Sequence, residues 1–442
     1  MGARKGILLA TVLAAAVLLG WLATVDDVRI WPLRNTVEYR ALRWWWERVG
    51  RPPAAHAVRA PATGRLVGTL RDTAGRPVAG GRVLVTQWDG TARDAVSGAD
   101  GGYALEGVPA GAYAPVAGAP GYADTVLGDP RLPFALGRVR VPAGGAARAD
   151  VRLTPQAALP PAAGATAAAA VGAAETATCE RPLAGTARRR VVTLPQAGGA
   201  SGQGLLYTPG PEAGPAAGGG GWPLLLTVYP GPAAAWECAS VPLAAAGFAV
   251  LAVAPAYSFS PEGDVADLAR WLRLARTGAL PEVDGGRLAA LAGSYSALHV
   301  QRLLERPEDA AALRAAVLLG APSDLFDARR RLEDGTYVPP FGLDAALVAL
   351  GFPDREPLRY WRYSWTYHVR RDLPPLALIH SRQDEVVPFQ QSEALARRLE
   401  AVGAPHRLYV FDAASHYLLS EDGDALAVYD LTLAFLRERL DA

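Results

Sequence analysis

The sequence predicts a mixed α/β domain with a mainly parallel sheet over residues 179–442. A small all-β sandwich over 64–153 precedes it, with a transmembrane helix at the N-terminus. Three features carry this. Strand-length apolar runs alternate with amphipathic stretches of helical period in the C-terminal part. Short alternating segments broken by Gly, Pro and Asp fill the middle. One long uncharged apolar run stands near the start.

The chain has 442 residues, enough for about two or three domains. It is 50% hydrophobic and 20% charged, which excludes a disordered chain and supports a sizeable core. Basic and acidic residues number 44 and 43. There is no surplus to neutralise phosphates, so no nucleic-acid partner is expected. Lys5 is the one lysine among many arginines. Two cysteines exclude both a disulfide-dense scaffold and a multi-cysteine metal site. No metal and no cofactor are expected.

Arg4 and Lys5 precede the uncharged run from Gly6 to Val25, which Asp26 and Asp27 close. At roughly 1.5 Å per residue that run rises about 30 Å, the thickness of a hydrocarbon core. Residues 6–25 are therefore expected to be an uncleaved single-pass anchor in the lipid bilayer. A signal peptide is the alternative, and would leave a secreted protein, but Leu22-Ala23-Thr24 makes a poor cleavage site. Basic residues before the run place the N-terminus inside and the bulk of the chain outside the cytoplasm. Residues 26–60 form a juxtamembrane segment rich in Trp31, Trp44, Trp45 and Trp46. They suit either an interfacial helix or one packed on the following domains.

In the middle segment, Arg65–Leu70 and Arg82–Thr86 read as strands, with Asp72-Thr73-Ala74-Gly75 as a turn between them. The strings Gly75–Val83, Ala99–Leu105 and Val108–Tyr113 together resemble the carboxypeptidase regulatory-like, transthyretin-type sandwich. The resemblance implies a small accessory module, acting as a spacer or binding a ligand, not a catalyst. Residues 154–178, rich in Ala, Pro and Gly with almost no charge, read as a linker.

From residue 179 onward, apolar runs occur at Pro223–Tyr229, Phe248–Ala254, Arg287–Ala292, Ala315–Leu319, Pro375–His380 and Arg407–Phe411. Amphipathic helices are expected at Asp264–Arg276, Leu298–Glu305, Gln390–Ala401 and Ala425–Arg439. A parallel sheet of this kind needs crossover helices on both faces.

Candidate chemistry lies where strands end. Gly293-Ser294-Tyr295-Ser296-Ala297 follows one strand and leads into a helix. A nucleophile elbow needs a serine on a sharp turn with small residues two before and two after it. Ser294 has Ala292 and Ser296 there, whereas Ser296 would place Leu298 at the crowded position. Asp384 follows the next-to-last strand and His416 the last, giving the order serine, aspartate, histidine of an α/β-hydrolase. Asp384 would orient the imidazole and stabilise its charged form. Glu385 is the rival acid, and His380 is assigned to the strand end, not the reaction.

The string Asp284–Ala297 resembles the elbow of the prolyl oligopeptidase family. Val228-Tyr229-Pro230-Gly231-Pro232 is similar to its oxyanion-side loop, and His380–Pro388 with Gln391-Ser392 to the segment carrying its aspartate. The resemblance implies Ser294, Asp384 and His416 as the triad. It also implies an oxyanion hole of the Tyr229 hydroxyl and the Tyr295 backbone N–H. Family glycines at the elbow are replaced by Ala292, Ser296 and Ala297, and the family's β-propeller is missing. An extracytoplasmic serine peptidase acting through an acyl-enzyme is expected, on a peptide or ester substrate. An esterase or acyl-peptide hydrolase on the same triad, or a non-catalytic binding protein, are the alternatives.

Residues 323–372 hold Phe326, Phe341, Trp361, Tyr363, Trp365 and Tyr367. Core packing suits most of them, and Phe326 is the candidate wall of a substrate pocket. In an oxidising compartment Cys179 and Cys238 are expected to pair, two separate buried thiols being the alternative. Nothing in the sequence assigns an oligomeric state.

Overall fold

The computed structural model describes residues 62–128, 136–156, 169–195, 201–214, 216, 220–254, 261–337, 350–412, 416, 418 and 425–440. The expected anchor at 6–25, the juxtamembrane segment at 26–60 and Phe341 lie outside them. Among the described residues no helix is long and apolar enough to cross a membrane.

The N-terminal domain is a β-sandwich. Its strands are β1 (Thr63–Asp72), β2 (Arg82–Thr86), β3 (Ala92–Val96), β4 (Gly102–Pro109), β5 (Gly111–Tyr113) and β6 (Val116–Gly118). They continue with β7 (Tyr122–Ala123), β8 (Thr125–Val126), β9 (Val139–Val141), β10 (Ala146–Arg148) and β11 (Val151–Pro155). One sheet runs β10-β1-β11-β7 with β4 also on β1, a second runs β3-β2-β6-β8, and β5 and β9 form an antiparallel pair of their own. Leu66, Leu70, Val83, Val85, Tyr103 and Leu105 fill the space between the two larger sheets. Asp72 closes the first turn, its buried carboxylate accepting the N–H groups of Ala74 and Arg76 at 2.9 and 2.8 Å.

The C-terminal domain is built on one sheet. Its strands are β12 (Ala170–Val171), β13 (Glu175–Cys179), β14 (Gly185–Pro195), β15 (Ser201–Pro209), β16 (Trp222–Val228) and β17 (Ala249–Val253). Then come β18 (Val283–Gly293), β19 (Ala315–Leu319), β20 (Leu376–Ser381) and β21 (His406–Phe411). The order is β12-β14-β15-β17-β16-β18-β19-β20-β21, with β13 also on β14. From β17 to β21 every pairing is parallel, whereas β14, β15 and β17 pair antiparallel. β12 and β13 correct the linker expectation: the end of the 154–178 stretch is sheet. Its Ala- and Thr-rich residues lack the apolar alternation that marks a strand, and backbone pairing to β14 defines them instead.

Both faces of the sheet are buried. Leu224, Leu226 and Val228 point to one side, Leu225 and Tyr229 to the other. Against the first side pack α2 (Pro261–Arg276), α3 (Ser296–Leu304) and α7 (Gln390–Val402), which supply Trp271, Val300 and Leu399. Against the second pack α1 (Glu237–Ala245) and α8 (Ala425–Leu440), through Leu243, Val428 and Leu436. The short α4 (Pro307–Ala310), α5 (Leu325–Asp334) and α6 (Pro357–Arg362) complete the described helices. A disulfide joins Cys179 at the end of β13 to Cys238 in α1, with the Cα atoms 5.4 Å apart. In the chain-entropy model a loop of this size contributes about 4 kcal/mol.

The sandwich docks on the α5–α6 insertion. Leu84 and Val116 face outward from it and share an apolar cluster with Leu325, Phe326, Ala328, Tyr360 and Trp361. The Trp361 indole N–H donates to Asp124 at 2.8 Å, and Arg398 donates to Asp94 at 2.6 Å. Phe326 is 0% exposed within this contact, which corrects its expected place on a substrate pocket. Its ring packs on Tyr360 and Tyr367, and sequence density alone did not say what it faced.

At the start of α5, Asp324 caps the helix through the Asp327 N–H at 3.1 Å and accepts the Tyr367 hydroxyl at 2.9 Å. Burial pushes its carboxyl up to about 6. The folded state thus binds a proton more readily than the unfolded chain, so stability declines as pH rises toward about 6. Asp324→Asn keeps a good cap. It should raise the Tm by a few degrees at pH about 8 and flatten its pH dependence between about 4 and 6, as read by thermal unfolding.

Candidate active site

β18 ends at Gly293 and α3 begins at Ser296, so the chain reverses over two residues. Ser294 takes a φ of +53°, the left-handed region that costs an L-residue about 1–2 kcal/mol. Its N–H donates to the Leu319 carbonyl at 2.8 Å, and its own carbonyl accepts the Ala297 N–H at 3.0 Å. The flanking Ala292 and Ser296 are fully buried, leaving space only for small side chains.

The three residues expected to act together are in contact. His416 Nε2 lies 2.7 Å from Ser294 Oγ. His416 Nδ1 lies 2.8 and 3.0 Å from the two oxygens of Asp384. An ionised carboxylate only accepts, so Nδ1 carries the proton and Nε2 faces the serine hydroxyl as acceptor. Asp384 Oδ1 also accepts the N–H groups of Val386 and Val387 at 2.9 and 2.7 Å. Burial alone would raise its carboxyl, but hydrogen bonds from His380 and His416 outweigh that and hold it well below the usual carboxylate range. Glu385 meets the His416 backbone N–H at 3.2 Å, not the ring. Ser296 lies in the first turn of α3, apart from the imidazole contact that Ser294 makes.

Tyr229 follows β16 and stacks on Trp236 at 4.9 Å between ring centroids. A side chain at Gly293 would meet its ring at 3.2 Å, so the glycine is what lets Tyr229 lie against the elbow. Burial, followed by the nearby Tyr429, pushes its hydroxyl well above the ordinary tyrosine range, so it stays protonated. Tyr295 stands at the N-terminus of α3, where backbone N–H groups lack helical partners. Its ring meets His299 edge-on at 5.2 Å.

Residues 342–442, which include Asp384 and His416, match the prolyl oligopeptidase family. The protein is accordingly a serine hydrolase, a peptidase or an esterase. Residues 65–154 match the carboxypeptidase regulatory-like domain. No curated protein matches the chain in sequence. Similar solved structures include a truncated carbohydrate esterase from gut microbiota, 18% identical over 54% of this chain and 91% of that one, with a TM-score of 0.45. Another is a thermophilic esterase of the planctomycete Thermogutta terrifontis, 17% identical over 60% and 92%, with a TM-score of 0.41.

Two residues at this site were given no part in the chemistry by the sequence. Gly320 follows β19 at a φ of +51°. A Cβ there would stand 3.1 Å from Asp384 Oδ2 and 3.2 Å from His416 Nδ1. Only the strand-end position hints at it. Gly320→Ala should therefore displace the imidazole and lower kcat by about a hundredfold, the effect of misplacing a catalytic group by about 1 Å. Steady-state kinetics on a p-nitrophenyl ester checks it. The second residue is His380. It is the next-to-last residue of β20, close to the expected strand end, and its Nε2 lies 3.1 Å from Asp384 Oδ2.

Proposed function

We propose that the protein is a membrane-anchored, extracytoplasmic serine peptidase that works through an acyl-enzyme. The observation that carries the catalytic part is the hydrogen-bonded line Ser294–His416–Asp384 on a strained turn. His416 Nε2 takes the Ser294 proton as Oγ attacks the substrate carbonyl. Asp384, kept ionised, orients the ring and stabilises its charge. The oxyanion accepts hydrogen bonds from the Tyr295 N–H and the protonated Tyr229 hydroxyl. Collapse of the tetrahedral species expels the leaving group, which receives the proton from His416, and leaves an acyl group on Ser294. Water, deprotonated by the same imidazole, then releases the acid and restores the serine.

The family match favours a peptidase. An esterase is the second reading, because an activated serine of this geometry attacks ester and amide carbonyls alike, and the fold does not separate the two. The anchoring part rests on the apolar run at 6–25 and the basic residues before it. Peptide amides and matched p-nitrophenyl esters given to the full-length protein separate the two activities. Turnover of amides supports the peptidase, and hydrolysis of esters alone makes the esterase the correct class.

A further inference from the structure

We propose that His380 is a positioning residue which, resting on the hydrolase reading above, fixes the plane of the Asp384 carboxylate so that His416 faces Ser294. The His380 side chain is fully buried between the end of β20 and the first turn of α7. Its Nδ1 lies 2.7 Å from Ser392 Oγ. Its Nε2 lies 2.9 Å from the Val387 carbonyl oxygen and 3.1 Å from Asp384 Oδ2.

Those partners decide the tautomer. Nε2 faces two oxygens that only accept, so it carries the hydrogen and shares it between them. Nδ1 then accepts from the Ser392 hydroxyl, which can donate, and a neutral ring satisfies every contact. The Phe389 ring stands edge-on at 5.8 Å, and the Arg382 guanidinium lies over that same ring at 4.9 Å. The imidazole is thereby held from several sides.

The consequence falls on Asp384. Its Oδ1 is held by two backbone N–H groups. Its Oδ2 receives His416 Nδ1 from one side and His380 Nε2 from the other. Without His380, the only side-chain donor described on Oδ2 is the imidazole that Asp384 is meant to hold. The carboxylate could then turn about its last torsion and carry His416 with it. His380 makes no contact with Ser294, so its effect travels through Asp384 alone.

The test uses full-length protein and three variants. His380→Leu removes the donor, His380→Gln offers an amide N–H in its place, and Ser392→Ala frees the tautomer while leaving the ring. On a p-nitrophenyl ester, His380→Leu should lower kcat about tenfold to a hundredfold with KM unchanged. His380→Gln should recover most of that loss, and Ser392→Ala should lower kcat by a smaller factor. The low-field proton signal of the His416–Asp384 hydrogen bond should shift or broaden in His380→Leu and return in His380→Gln. Wild-type kcat and an unmoved proton signal in a folded His380→Leu protein would overturn the proposal. If His380→Leu does not fold, an unchanged kcat and signal in Ser392→Ala would overturn it as well. The proton signal exists whether or not Ser294 is a nucleophile. A wild-type protein that takes no fluorophosphonate label therefore sinks the hydrolase reading, while the spectra still decide the role of His380.

Discussion

Ser294→Ala protein is expected to fold as the parent does, to take up no fluorophosphonate label, and to lose roughly a millionfold in kcat, the scale on which a triad serine acts. The change removes one oxygen and leaves the backbone hydrogen bonds at the elbow in place. Alanine, like serine, must adopt the left-handed φ there, so the strain is the same on both sides of the comparison. Circular dichroism and intact-mass analysis after probe treatment read fold and label in one sample. A folded variant with parental turnover would show that the nucleophile lies elsewhere. Ser296 would then be tested next, although it would first have to leave its fully buried place in α3.

The second large effect concerns the oxyanion. Tyr229→Phe keeps the ring that stacks on Trp236 and lies against Gly293, and removes only the hydroxyl. Losing one oxyanion donor raises the barrier by about 2.7–4 kcal/mol, roughly a hundredfold to a thousandfold in kcat. KM should change little, because the charge that the hydroxyl meets exists only in the transition state. A loss confined to KM would instead place Tyr229 in ground-state binding and leave the Tyr295 N–H as the main donor.

Much of the C-terminal fold was legible because its parallel strands are buried on both faces. Such strands read as unbroken apolar runs, and β16 to β20 stood out for that reason. β14 was missed because arginines stand on both of its faces: Arg188 and Arg190 reach Glu282, and Arg189 reaches Glu175 and Glu237. Alternation masked by arginines looks like a loop. The serine, aspartate and histidine could be named because each sits at a strand end and their order in the chain is informative. Gly320 and His380 could not, since their importance is a matter of distance to Asp384 and His416, set by how neighbouring strands lie side by side. Phe326 failed for a similar reason. Its partners Leu84 and Val116 come from the other domain, and a hydrophobic side chain does not announce which surface will cover it.

The shared cluster around Trp361 also bears on how the chain would behave once cut. A protease acting between residues 157 and 168 would sever the backbone between the two domains but none of the contacts that Leu84, Val116, Asp94 and Asp124 make across the boundary. The nicked protein would therefore travel as one particle, and released small domain would appear only after denaturation. Heredity follows the same line. A damaging change at Leu84 or Val116, in the module that carries no catalytic group, would surface as a defect of the hydrolase.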